Sequence, residues 1–275
     1  MNIFPKISNG NLSEEMNNII RKSQGIEIQY FDETEPTEYF NFENEVIKRK
    51  EEFSNLKEII IHPPLNNYNI EFLLLKDKNM VLNIFKRLVN LSEKLKIHIC
   101  FVFHTYFNLT QFKSTKAEET MKILLKELEG TEVTILFENM FMVLSDRRKC
   151  SAIEIVKSIN HPNLRACIDT THMHCKASIW KIDFNEMIKQ DLNKEDCNKY
   201  VRQIHFAAQL NDDGYIEKST HGRVHPTEES LKEEINWLRE MNMFDDKNII
   251  TEVSEEDYVS RKDQIKEIHM IENNI

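Results

Sequence analysis

Short runs of β-branched and aromatic residues alternate along the chain with longer stretches whose apolar positions recur every three or four residues. The short runs predict eight strands, over residues 3–7, 26–31, 58–62, 97–104, 133–138, 164–169, 201–206 and 248–252. The longer stretches predict helices over 12–22, 43–52, 81–96, 117–129, 152–159, 184–189, 228–241 and 259–271. End signals accompany several of them: Asn11 as an N-cap, Gly130 as a terminator, and Thr227-Glu228-Glu229-Ser230 as a capping region ahead of Leu231.

Eight strand–helix units in 275 residues amount to about 34 residues each, a spacing that suits an α/β (β/α)8 TIM barrel. Ile59-Ile60-Ile61, Ile99-Cys100-Phe101-Val102-Phe103 and Thr134-Ile135-Leu136-Phe137 are nearly unbroken apolar runs, as expected of parallel strands covered by helices. An open doubly wound sheet is the rival, but its nucleotide-binding forms use a glycine-rich turn after the first strand, which is missing here. With no linker in the sequence, residues 1–275 read as a single domain. Residues 207–225, which include Asn211, Asp212, Asp213 and Gly214, read as a functional loop over the barrel mouth.

Composition narrows the function. The chain has 5 glycines, all isolated, so neither a P-loop nor a Rossmann phosphate cradle can be written. Its 36 basic and 46 acidic residues give a net charge of −10, which argues mildly against gripping a phosphate backbone. The 5 cysteines form no Cys-x-x-Cys pair, so reduced thiols in a cytoplasm are expected rather than disulfides or a four-cysteine zinc site. The first residues show no signal-peptide pattern. The longest charge-poor stretch, 97–112, is too short and too polar to span a bilayer. A soluble cytoplasmic protein with no membrane partner is expected.

The chemistry stands at the strand ends. His62 follows Ile59-Ile60-Ile61, His104 ends the fourth predicted strand, and Glu138 the fifth. Asp169, followed by Thr170-Thr171-His172, ends the sixth; His205 lies in the seventh and Glu252 ends the eighth. In a barrel those ends converge on the face where active sites lie. Imidazole and carboxylate donors suit zinc, manganese or iron, and clustered carboxylates repel one another unless a cation sits among them. A divalent-metal site is therefore expected.

These residues resemble the xylose-isomerase-like barrel superfamily, which holds sugar isomerases, sugar epimerases and the endonuclease IV nucleases. Phe137-Glu138-Asn139 looks like its strand-five glutamate motif, and Asp169-Thr170-Thr171-His172 like its strand-six DxxH motif. Gln203-Ile204-His205 and Thr251-Glu252-Val253 look like its strand-seven histidine and strand-eight glutamate. The likeness implies a four-ligand metal site of Glu138, Asp169, His205 and Glu252. It also implies a sugar or sugar-phosphate substrate, proton transfer by Glu138 and Glu252, and substrate contacts from His62, His104, His172, Arg223 and His225.

The endonuclease IV branch implies more metal, up to three zinc ions. His62 and His104 match its two early histidines, His172 its DxxH histidine and His225 its last one. Where that branch carries an aspartate in an Asp-Arg-His triplet, this chain has Arg223 in Arg223-Val224-His225, and a cation cannot ligate zinc. His221 stands at the wrong offset to replace it. His62 is followed by Pro63-Pro64-Leu65 rather than by a tyrosine that probes DNA.

The isomerase or epimerase reading is favoured. A multi-zinc phosphoesterase is the alternative, with nucleic acid as its substrate, and a non-catalytic barrel with a degenerate site ranks third. Of the two basic runs, Lys48-Arg49-Lys50 reads as a solvated helix face, and Arg147-Arg148-Lys149 lies nearer the mouth. His174 and Cys175 read as the start of a loop, Trp180 and Trp237 as helix–barrel packing, and His98, His161 and His269 as surface residues.

Overall fold

The computed structural model describes residues 2–8, 10–29, 42–63, 78–140, 150–208, 222–253, 257 and 259–274. Nine strands lie among them: β1 Asn2–Phe4, β2 Lys6–Ser8, β3 Gly25–Gln29, β4 Glu58–His62, β5 His98–Thr105, β6 Val133–Asn139, β7 Leu164–Asp169, β8 Val201–Phe206 and β9 Asn248–Thr251. All neighbouring pairs are parallel, in the order β1-β9-β8-β7-β6-β5-β4-β3-β2. The expected strand at 3–7 is therefore two segments. Pro5 has no N–H to give to a ladder, and the chain changes partner there. Ahead of it Asn2, Ile3 and Phe4 pair with Asn248, Ile249 and Ile250; beyond it Lys6, Ile7 and Ser8 pair with Glu27, Ile28 and Gln29. The Pro5 carbonyl accepts from the Glu27 N–H at 3.0 Å. Residues 2–8 thus bridge both ends of the sheet and close the barrel.

The helices outside are α1 Glu14–Lys22, α2 Phe42–Glu52, α3 Lys78–Leu95, α4 Leu109–Ser114, α5 Ala117–Leu128, α6 Ser151–Ile159, α7 Thr170–Trp180, α8 Phe184–Asp191, α9 Lys194–Tyr200, α10 Glu228–Glu240 and α11 Lys262–Asn273. The cap of α1 is Ser13, not Asn11: its hydroxyl accepts from the Met16 N–H. Helix α7 carries no apolar stripe because most of its residues, polar ones included, are buried, so the helical period is erased. His174 and Cys175 consequently lie in a helix and not at a loop start. Arg49 is also buried rather than solvated, ion-paired with Glu45 at 2.6 Å and Glu52 at 2.9 Å. Arg147-Arg148-Lys149, Pro64, Leu65, His221 and residues 211–214 lie outside the described residues.

Two apolar cores result. One lies between strands and helices and takes most of the buried aliphatic residues. The other fills the barrel with Phe4, Ile60, Cys100, Val102, Leu136, Cys167 and Ile250. Its floor explains Gly25: a Cβ there would stand 2.3 Å from the Phe4 ring. Because the interior is packed, polar side chains that point inward near the C-terminal strand ends form a lid of donors on an apolar plug. No helix among the described residues is long and apolar enough to cross a membrane.

Candidate metal centre

Parallel register sets the donors at one height. His104 of β5 is level with Glu138 of β6, and Asp169 of β7 with His205 of β8. His62 ends β4, and Glu252 follows β9, its N–H bonded to the Phe206 carbonyl at 3.0 Å. All six side chains belong to residues at most 4% exposed. One ligand atom from each of Glu138, Asp169, His205 and Glu252 lies within 4.8 Å of the others. His62, His104 and Glu138 form a second such group, and Glu27, His62 and His205 a third.

Local structure fixes the donors. Asp169 caps α7, its Oδ1 accepting from the His172 N–H at 2.7 Å. The Asn139 side chain bonds the Asp169 backbone on both sides, its Oδ1 accepting from the Asp169 N–H at 2.8 Å. His172 Nδ1–H donates to the Asn139 carbonyl at 2.8 Å and lies 3.4 Å from Glu138 Oε1. Behind His205, Nε2–H donates to Glu27 Oε2 at 2.9 Å. His205 Nδ1 therefore faces the mouth, 2.5 Å from Glu252 Oε2 and 3.5 Å from Glu138 Oε1. A carboxylate behind a histidine in this way is the usual support of a ligating imidazole.

Burial and neighbouring charges shift the titrating groups at the mouth in opposite directions. Burial by itself would raise the Glu138 carboxyl, yet His205 and His104 outweigh it and hold it well below the usual range. Burial pushes Asp169 up to about 7; His172 opposes this, and Glu252 and Glu138 add to it. His104 is lowered to about 3, chiefly by burial. His205 is driven the other way against its burial, by Cys167 and by Glu252, Glu27 and Glu138. Oxygen and nitrogen atoms meanwhile face one another without hydrogen-bond geometry. Glu138 Oε2 lies 3.5 Å from His62 Nε2 and 3.4 Å from His104 Nε2, and all but the last are buried atoms lacking a hydrogen-bond partner. Donors gathered at this separation fit a divalent ion bound between them.

Arg223 and His225 stand apart from these groups. The His225 ring stacks on Phe206 with centroids 5.0 Å apart, and its Nδ1 is bonded to the buried Glu267. Arg223 is exposed and, with His225, His174, Phe184 and Trp237, lines a cavity of about 790 Å³. None of the described residues lining that cavity belongs to the donor groups. His174 is held by Glu234 at 3.0 Å.

Two buried charges at the mouth escape the sequence reading. Lys6 of β2 donates to Glu252 Oε1 at 2.5 Å and ion-pairs with Glu27 Oε1 at 2.9 Å. Alternation held the clue to Glu27. In Ile26-Glu27-Ile28 the isoleucines face the helix-covered core, so the residue between them points into the barrel.

A closed parallel barrel with inward donors at its C-terminal mouth defines a TIM barrel with a candidate metal centre. The chain belongs to the xylose isomerase-like TIM barrel family, whose model matches residues 23–271. Comparison with curated proteins finds no match. Among solved structures it is similar to the IOLI protein with a bound zinc atom (14% identity, TM-score 0.63, covering 99% of this chain and 96% of that one). It is also similar to a probable 3-DHS dehydratase, AsbF, of Bacillus anthracis (15%, TM-score 0.61, 99% and 100%). A third is the 3-keto-D-glucoside 4-epimerase YcjR of E. coli (12%, TM-score 0.59, 99% and 99%). At these identities the likeness is one of fold.

Proposed function

We propose that this single-domain protein is a divalent-metal-dependent isomerase or epimerase of a sugar or sugar phosphate. The observation that carries the reading is the convergence of Glu138, Asp169, His205 and Glu252 within 4.8 Å at the mouth. These four would hold one zinc or manganese ion. When bound, the ion supplies Lewis acidity that polarises a sugar carbonyl and acidifies the neighbouring C–H. Glu138 and Glu252 are the proton carriers: two carboxylates working on opposite faces of the substrate invert a centre, whereas one alone moves a proton between carbons. His172 lies beside Glu138 and Asp169, where it would meet a substrate hydroxyl. His62 and His104 would do the same on the opposite side of Glu138. Arg223 and His225 would serve a more distant part of the substrate, such as a phosphate. Solved structures of a sugar epimerase and of a zinc-bound protein with this fold support the reading. The five cysteines, all free and buried, suit a reducing cytoplasm.

The group His62, His104 and Glu138 favours a second reading. A metal there would share Glu138 with the first, as in two-metal phosphoester hydrolysis. Metal stoichiometry of the purified protein, paired with two assays, separates the two. One ion per chain, with solvent deuterium entering a ketose, is expected. Two ions per chain with cleavage of a phosphodiester, and no deuterium entering any ketose, would reverse the order.

A further inference from the structure

Four buried side chains close a ring at the mouth. Lys6 Nζ donates to Glu252 Oε1 at 2.5 Å and ion-pairs with Glu27 Oε1 at 2.9 Å. Glu27 Oε2 accepts from His205 Nε2 at 2.9 Å, and His205 Nδ1 returns to Glu252 Oε2 at 2.5 Å. The ring spans the seam where β2 and β3 meet the strands β8 and β9 across the barrel. His205 and Glu252 belong to the proposed centre; Lys6 and Glu27 are charges that a structural plug would not need. Burying both is costly without a task that uses the charge, since well-packed apolar residues replace buried ion pairs at little loss.

We propose that Lys6 and Glu27 are a positioning pair acting on the metal in opposite senses. Glu27 turns His205 so that Nδ1 is presented and makes it a better ligand. Lys6 claims one oxygen of Glu252, leaves the other for the ion, and sets a positive charge against it. The pair thereby holds the coordination number down, keeping positions open for a substrate, and weakens a site that three carboxylates and a histidine would otherwise grip too firmly. The inference rests on the assignment of Glu138, Asp169, His205 and Glu252 as ligands.

The test measures zinc dissociation constants of the full chain by chelator competition, with cobalt absorption read in parallel. Lys6→Gln loses the charge, and its shorter side chain releases Glu252 Oε1, so it should bind zinc about tenfold more tightly, from the contact repulsion removed. Glu27→Gln should bind about 10–100-fold more weakly, the usual cost of losing a partner behind a ligating histidine. The Lys6→Gln cobalt complex should absorb less strongly, because the freed Glu252 oxygen raises the coordination number. A pair with a purely structural role would weaken binding in both variants, and that result, or an unchanged cobalt spectrum in Lys6→Gln, overturns the proposal. If Lys6→Gln does not fold, Lys6→Met in the Glu27→Gln background removes both charges. Tighter binding than in Glu27→Gln alone sustains the role of Lys6, and equal or weaker binding refutes it. Wild-type protein that takes up no zinc brings down the metal assignment itself, whereas wild-type binding with both variants weakened brings down the pair alone.

Discussion

Asp169 does two jobs that one substitution can separate. Its Oδ1 caps α7 through the His172 N–H, and its carboxylate joins the donor group. Asparagine caps as well as aspartate, so Asp169→Asn should leave α7 in place and cut zinc affinity by more than about 100-fold, beyond the loss of an outer partner alone. The metal-free proteins should differ with pH as well. Asp169 is pushed up to about 7 in the fold, against about 3.9 in an unfolded chain. Between those values the folded protein holds the extra proton, so its stability falls as pH rises through the window. Asparagine carries no such penalty. Urea titrations at several pH values should show wild type losing ground to Asp169→Asn from about pH 4 to 7; parallel curves would mean that Asp169 titrates normally. At this scale the donors were legible because a His, Asp or Glu closing an apolar strand stands out. Lys6 and Glu27 did not stand out, because neither closes an apolar strand: Lys6 opens β2, and Glu27 lies within β3, where only the flanking isoleucines hinted at its inward face.

At the scale of elements, helices read well wherever one face is apolar. Helix α10 buries Leu231, Ile235 and Leu238, and its capping box joins Thr227 to Ser230, as the sequence pattern implied. The Thr227 hydroxyl accepts from the exposed Ser230 N–H at 3.1 Å. Thr227→Ala should therefore cost about 1 kcal/mol, the worth of an N-cap, read as a lower urea midpoint with an unchanged slope. No change would mean that water replaces the hydroxyl without loss. Elements escaped the pattern where burial is not one-sided: α7 is packed nearly all round, and α4 and α9 are 6 and 7 residues long, too short to show a period. The split of the first strand was equally hidden. Pro5 marks a lost donor, but only the closed ring gives residues 2–4 and 6–8 different partners.

For the whole molecule, the metal and the barrel seam are one problem. The proposed ligands come from β6, β7, β8 and the residue after β9, and Lys6 ties the last of them to β2 and β3 across the closure. Without a cation this arc holds buried carboxylates against one another: burial raises Asp169 to about 7, and Glu252 and Glu138 add to the rise. An ion bound there would relieve that repulsion and cross-link strands that are distant in sequence, so its binding energy becomes folding energy. Zinc at about 100 times its dissociation constant adds about 2.7 kcal/mol. For a chain of this size, that raises the melting temperature by about 5 °C. A chelator should reverse the rise. Glu138→Gln, which alters the residue shared by two donor groups, should show little or none of it. Thermal melts with and without zinc decide the matter. A wild-type melting temperature that saturating zinc does not move would leave the mouth a self-contained polar network and remove the metal from the reaction.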